Sequence, residues 1–352
     1  MVVAGQLLTF FGAQTFMNIY MKVVLSDAVV SEELRMRGFQ GPLLLTSLQQ
    51  LTSFAVLTLL IGLSRLTPWP YRPRPLAGTR DVLAIIVLAL LFASNIALNN
   101  FSLSILDMSV NIIIRSMSPL ATFALQVAFA RCKGGIKLDF QFAKMMFMVS
   151  GVGAGVLVIV AKAHSYHAPT NGGESHFGLG VALCFGSLLS STMELIVVVL
   201  IGKGLKMNTV DTAFYMSLPT VLILFAPSFL LYHPVAYPAH PAMTDWSVLL
   251  EVWRHNRSTV ALVLLSGIFA TGYNLLLYTV AKDLSPFYTS FAANFNKVAA
   301  IGLALLFRLE ALPPRPWGAL AAAGITGSAA SFAAYSLWPS RRLKEKAEQG
   351  LC

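Results

Sequence analysis

Two cations occupy stretches of this sequence that otherwise read as buried apolar helix. Arg115 lies within Val110-Asn-Ile-Ile-Ile-Arg-Ser-Met-Ser-Pro119, and Lys297 within Phe291-Ala-Ala-Asn-Phe-Asn-Lys-Val-Ala-Ala300. An ionised side chain in hydrocarbon costs on the order of 2.5–3.5 kcal/mol on an insertion scale, so such residues line cavities or find partners. Two of them, with few acids near in sequence, suit an anion held at the centre of a bundle. The plainer alternative is a base that snorkels or pairs internally with Glu194. Glu194 has two readings of its own: a proton-coupling carboxylate, or the partner of Lys22 or Arg115. Amides and phenols accompany the cations: Asn95, Asn99 and Asn100; Tyr273, Asn274 and Tyr278; Asn294 and Asn296. These side chains hydrogen-bond polar ligands, and equally serve as glue between helices.

Other chemistry is thinner. His240-Pro-Ala-Met-Thr-Asp245 has the His-x4-Asp spacing associated with acyl transfer, but it lies in a Pro-rich loop and two fixed positions arise easily by chance. The histidines form no i,i+4 pair on a helix, and Cys132, Cys184 and Cys352 form no CxxC. No catalytic residue, metal ligand or cofactor is expected. The runs Gly151-Val-Gly-Ala-Gly155 and Ala319–Gly327 follow no strand and carry no Lys-Ser/Thr, so they read as close-packing surfaces and not as phosphate loops. A receptor or scaffold, the third class, has no need of paired buried cations.

The elements that must position these residues are set by composition. The chain has 352 residues, 56% hydrophobic and 11% charged, with mean hydropathy +0.71. A soluble globule of this size needs a more polar skin, so a soluble enzyme, a disulfide scaffold and a disordered chain are excluded. The predicted class is an all-α membrane protein. Ten apolar stretches are long enough to cross a bilayer, at about 2–25, 42–64, 81–104, 108–131, 141–162, 177–201, 210–232, 258–281, 287–307 and 317–338. The first lacks a basic n-region and a cleavage site and reads as a retained helix. Pro68–Pro75 reads as a stiff connector, and Tyr232–Ser258 as a Pro- and His-rich loop with the sequon Asn256-Arg257-Ser258.

Basic residues set the expected orientation. One set of alternate loops carries fourteen: Arg65, Arg72, Arg74, Arg80, Arg131, Lys133, Lys137, Lys203, Lys206, Lys282, Arg341, Arg342, Lys344 and Lys346. The opposite set carries seven: Arg35, Arg37, Lys162, Arg254, Arg257, Arg308 and Arg315. The positive-inside rule then places both termini in the cytosol, and accounts for the +10 charge without a nucleic-acid partner. Ten spans with both ends on one side allow two inverted five-helix repeats, 1–164 and 165–340, followed by a basic tail, 341–352. Arg115 and Lys297 then fall on equivalent members, the fourth and ninth spans.

Two blocks carry a resemblance. The first runs from Asn95-Ile-Ala-Leu98 through Met108-Ser109 to Arg115-Ser-Met-Ser-Pro119; the second comprises Tyr273-Asn274, Ser285-Pro286 and Asn294-Phe-Asn-Lys297. Together they resemble the nucleotide-sugar/triose-phosphate transporter family of the drug/metabolite transporter superfamily. In the phosphate translocators of that family a second cation follows the ninth-span lysine; here Val298 follows, which is similar to the nucleotide-sugar branch. The resemblance implies an antiporter exchanging a nucleotide sugar for a nucleoside monophosphate, in the Golgi or endoplasmic reticulum membrane, by alternating access. It implies Lys297 and Arg115 as phosphate contacts, and Tyr273, Asn274, Asn99 and Asn294 as contacts to base or sugar. A sugar-phosphate or organophosphate exchanger of the same fold is the alternative. The start of the chain agrees with the secretory pathway, since no Arg/Ser-rich transit segment is read there. A homodimer is allowed without being specified.

Overall fold

The computed structural model describes residues 2–68, 70–133, 142–166, 177–238, 240–284 and 312–337. Helices stand where the apolar stretches predict them: α1 (Val2–Lys22), α2 (Pro42–Ser64), α3 (Thr79–Ile105), α4 (Met108–Ser116), α5 (Ser118–Lys133), α6 (Phe142–Tyr166), α7 (Phe177–Gly204), α8 (Thr209–Leu230), α10 (Arg257–Leu284) and α11 (Trp317–Leu337). A short additional helix, α9, spans Asp245–His255. Six of the described helices (α2, α3, α6, α7, α8 and α10) are long and apolar enough to cross a membrane by length and composition. They carry exposed leucines along their outer faces, among them Leu59, Leu60, Leu83, Leu90, Leu189, Leu222 and Leu264. Such a surface suits lipid and not water. The expected ninth span, 287–307, lies outside the described residues.

Lipid gives apolar side chains no reason to leave it, so helices associate through close packing and polar contacts. The two small-residue runs do this. An added Cβ on Gly324 of α11 would sit 2.6 Å from Val158 Cγ2 and 2.7 Å from the Ala154 carbonyl oxygen of α6, and one on Gly327 would sit 3.2 Å from Ala154 Cβ. The other principal pairings are α3 with α7, α1 with α10, α2 with α8, α2 with α10, and α3 with α8.

Three expectations need correction. The fourth span is not one helix: it breaks at Met117 into α4 and α5. Pro119 has no N–H to donate to the Arg115 carbonyl and its ring would collide with it. The chain tightens instead, with Met117 N–H donating to the Ile114 carbonyl at 3.0 Å. Lys162, assigned to a loop, lies in α6, buried, with its ammonium 2.9 Å from Asp107 Oδ2. The stretch after α8 is not an irregular loop. It forms an antiparallel hairpin, with strands Tyr232–Tyr237 and His240–Thr244, and then α9. A second, smaller hairpin joins α1 to α2, with strands Val29–Ser31 and Met36–Arg37. We number the strands β1 and β2 (the α1–α2 hairpin), and β3 and β4 (the one after α8).

These hairpins and α9 pack together at one end of the bundle, the hairpin end. Along β3, His233, Val235 and Tyr237 are buried while their neighbours are exposed, as period two requires. Tyr237 OH donates to the Gly38 carbonyl at 2.5 Å, and Asn256 Nδ2 to the Val29 carbonyl at 2.8 Å. Asp245, fully buried, accepts from Leu44 N–H at 2.7 Å and from His233 Nε2 at 2.7 Å. The first bond caps α2, whose own N-cap is Gly41 and supplies no side chain. At the opposite end, the linker end, Tyr71 of the Pro-rich connector donates to Asp211 Oδ1 at 2.7 Å and contacts Asn208. Lys282 Nζ there donates to the Met207 carbonyl at 2.9 Å, and Tyr215 OH to that of Arg74 at 2.7 Å.

Candidate functional site

Between the two ends the helices enclose a cavity of about 140 Å³, walled by α1, α2, α3, α4, α7 and α10. Polar side chains reach it because they recur at helical spacing on the inward faces. Asn95 and Asn99 are four apart on α3, Asn111 and Arg115 four apart on α4, and Tyr273 and Asn274 stand between Ala270 and Leu277 on α10. Of the residues singled out from sequence, Arg115, Asn99, Tyr273 and Asn274 all line this cavity. Lys297 and Asn294 lie outside the described residues.

Arg115 sits one residue before the α4–α5 break. One terminal nitrogen donates to Asn95 Oδ1 at 3.2 Å and the other to Ser187 Oγ at 3.4 Å. Ser187 Oγ in turn bonds the Asn95 carbonyl at 2.8 Å, fixing α7 against α3. Asn95 then passes the contact on: its Nδ2 donates to Glu194 Oε2 at 2.8 Å, while Tyr278 OH donates to Glu194 Oε1 at 2.9 Å. Glu194 is thus not in direct contact with Lys22 or Arg115, as the sequence reading considered. An amide stands between the cation and the carboxylate, with its oxygen toward one and its nitrogen toward the other. Both charges keep hydrogen-bond partners without neutralising each other by contact. Arg115 and Glu194 thus both line the cavity, with Glu194 1% exposed.

The amides divide by role. Asn95 is glue, as are Asn100, donating to Thr46 Oγ1 at 3.0 Å, and Asn111, donating to Asn99 Oδ1 at 3.2 Å and Ser102 Oγ at 3.1 Å. Tyr273 stacks on Phe10 of α1 with ring centroids 5.9 Å apart and planes 12° apart, both rings on the cavity wall. Sequence reasoning missed Ser187, the Asp107–Lys162 pair, and the glutamines Gln49 and Gln50 of α2. The signal for the glutamines was their position seven and eight residues inside an otherwise apolar span. Asp245 of the His240-x4-Asp245 pattern is bonded by His233, and its other carboxylate oxygen caps α2 at the hairpin end. Among the described residues no group of three His, Cys, Asp or Glu side chains is placed to hold a metal ion.

The chain resembles known transporters along most of its length. It is 27% identical over 255 residues to the GDP-mannose transporter GONST5 of Arabidopsis thaliana, covering 71% of this chain and 65% of that one. It is 27% identical over 228 residues to UDP-galactose transporter 1 of the same plant, covering 64% and 59%. A probable sugar phosphate/phosphate translocator, also from Arabidopsis thaliana, is 28% identical over 149 residues, covering 42% and 40%. The matches thus span less than two thirds of the length of these relatives. A solved structure described only as a protein crystal structure shares the fold at TM-score 0.50 and 16% identity, covering 92% of this chain and 98% of that chain. A profile of the UAA transporter family matches residues 13–282, the stretch that holds Arg115, the Asn95 bridge and the Tyr273-Asn274 wall. A helical bundle with membrane-spanning helices, a polar cavity at its centre and that match place the chain in the UAA transporter family.

Proposed function

We propose that this protein is a secondary-active antiporter that exchanges a nucleotide sugar for a nucleoside monophosphate by alternating access. The observation that carries the reading is Arg115 at the wall of a central cavity, donating to Asn95 and Ser187, with Asn95 bridging from it to Glu194. A cation supported in this way attracts an anion, and a fork of donors suits phosphate oxygens. Lys297, on the equivalent ninth span, is the second phosphate contact in this reading. Asn99, Asn294, Tyr273 and Asn274 then meet the uncharged parts of the ligand. The names of the GDP-mannose and UDP-galactose transporters support nucleotide sugars as the ligand class.

The packing supports the repeat reading. If each span is exchanged for the one five places on, the pairing of α3 with α7 becomes α10 with α1, and α2 with α10 becomes α8 with α3. The pairs α2 with α8 and α6 with α11 map onto themselves. Inverted repeats 1–164 and 165–340 give this pattern, and a site on their shared axis is where alternating access needs it. The basic asymmetry places the linker end and the tail, 341–352, in the cytosol and the hairpin end in the lumen of the Golgi or endoplasmic reticulum.

The test is exchange in liposomes preloaded with nucleoside monophosphate, run beside a melting curve. Arg115→Ala and Lys297→Ala are expected to abolish exchange while melting stays within a few degrees of wild type. Lys297→Arg is expected to fail as well, since a wide fork does not replace a point charge. Near-normal exchange by both alanine variants would refute the reading. The similarity to a sugar phosphate/phosphate translocator favours a second reading, an organophosphate–phosphate exchanger. Inorganic phosphate, and not nucleotide, would then stimulate uptake from the opposite side.

A further inference from the structure

The neutral side of the cavity holds a polar group that the fold leaves unsatisfied. Gln50 of α2 lines the cavity and is 1% exposed, yet its Oε1 has no hydrogen-bond partner. Its neighbour Gln49, equally buried, donates from Nε2 to Ser266 Oγ at 2.9 Å. The same turn of helix thus ties one amide to α10 and leaves the carbonyl of the other open. A methionine would fill similar volume without an orphaned carbonyl, so a glutamine here is costly unless something else bonds it. Its surroundings suit a flat, uncharged group. The stacked rings of Phe10 and Tyr273 and the buried amide of Asn274 line the same cavity. With Gln50 they stand on α1, α2 and α10, which pack together, whereas Arg115 stands on α4 against α3 and α7.

We infer that Gln50 reads the hydrogen-bonding edge of the ligand's nucleobase, a step that rests on the nucleotide reading above. A side-chain amide presents a donor and an acceptor in one plane, matching the paired acceptor and donor of a base edge.

The experiment measures the affinity of the purified full chain for AMP, GMP, CMP, UMP and inorganic phosphate by ligand-dependent melting. Wild type is expected to prefer one nucleotide. Gln50→Met is expected to lose affinity for it by roughly 10- to 100-fold, the value of a good bidentate base contact, and to flatten the ranking. Its affinity for inorganic phosphate should be unchanged, and its ligand-free melting temperature unchanged or higher. Gln50→Asn, which keeps the amide but withdraws it by one methylene, should preserve the ranking at lower affinity. An unaltered ranking in Gln50→Met overturns the inference, as does a lower ligand-free melting temperature with all ligands weakened alike. If wild type binds phosphate but none of the nucleotides, the nucleotide reading itself fails, and this inference with it.

Discussion

At the linker end, the connectors lie on an apolar cluster that takes in Leu76, Leu205 and Met207 and are tied by polar contacts; at the hairpin end, the bundle is closed by a folded layer of strands and a helix. Tyr71, Asn208, Asp211, Lys282 and Tyr215 supply the polar contacts of the first, each through a few hydrogen bonds, with Asp211 buried. Such bonds contribute about 0.5–1.5 kcal/mol apiece, because water replaces them when they open. The second is a continuous apolar cluster in which Val30, Met36 and Phe39 meet Leu44, Val235, Tyr237, Val248 and Val252. Burying each such side chain contributes about 1.5–3 kcal/mol, and all must separate together. Asp245 adds a bond that is costly to strand, since it satisfies both His233 and the first turn of α2. The two ends therefore differ in construction: connectors without strands at one, paired strands and a helix at the other. If the protein works by the alternating access proposed above, the expectation is that the linker end parts while the hairpin end moves as a unit.

The comparison breaks most readily at Asp245. Asp245→Ala should cost about 1–3 kcal/mol for each donor it strands, the Leu44 N–H and the His233 ring, read as a large fall in melting temperature. Near-wild-type melting would mean that the layer is not rigid. Gly38→Ala should cost about 1–3 kcal/mol by the same measurement. Gly38 has φ +71°, and an added Cβ would lie 2.1 Å from the Leu25 carbonyl oxygen. At the linker end, Tyr71→Phe should cost only about 1 kcal/mol. It should nonetheless speed alkylation of a cysteine at Met207→Cys by a water-soluble maleimide, which would locate a gate at that end. Unchanged labelling would remove Tyr71 from that role. The smallest effect concerns pH. The Tyr71 hydroxyl is pushed up to about 12 by its burial and by its bond to the Asp211 carboxylate. A phenol raised in the folded state contributes fully below its ordinary value near 10 and loses that contribution as pH climbs toward 12. Labelling at Met207→Cys should therefore not vary through Tyr71 between about pH 5 and 9.

What could be read from sequence follows from what each feature depends on. Helices stand near the apolar stretches because length and apolarity alone decide that; α2 occupies the expected 42–64. Arg115, Asn99, Tyr273 and Asn274 could be picked out because a polar residue inside an apolar helix is conspicuous, and the structure brings all four to one cavity. The Met117 break was hidden because Pro119 was read as part of a motif and not as a missing donor. The strand Tyr232–Tyr237 was hidden because Pro234 interrupts an alternation that only burial makes visible. Lys162 and Asp107 lie 55 residues apart in the chain, and no local pattern announces that they meet. Gln50 looks no different from Gln49 until the partners of each are known.

The broken fourth span also bears on how the protein enters its membrane during synthesis. α4 has nine residues, about 14 Å of helix, against a hydrocarbon core of about 30 Å. It carries a cation in its last turn and is followed by a break, so neither half is a self-sufficient insertion signal. Only Leu106 and Asp107 separate α4 from α3, which is 27 residues long and strongly apolar. The two therefore enter as a helical hairpin, with α3 carrying its shorter neighbour across. α7 arrives later in translation, bringing Ser187 for Arg115 and Glu194 for Asn95. Until then the arginine has Asn95 of α3 but lacks Ser187, and a nascent chain halted between α5 and α7 should hold it nearer the lipid headgroups.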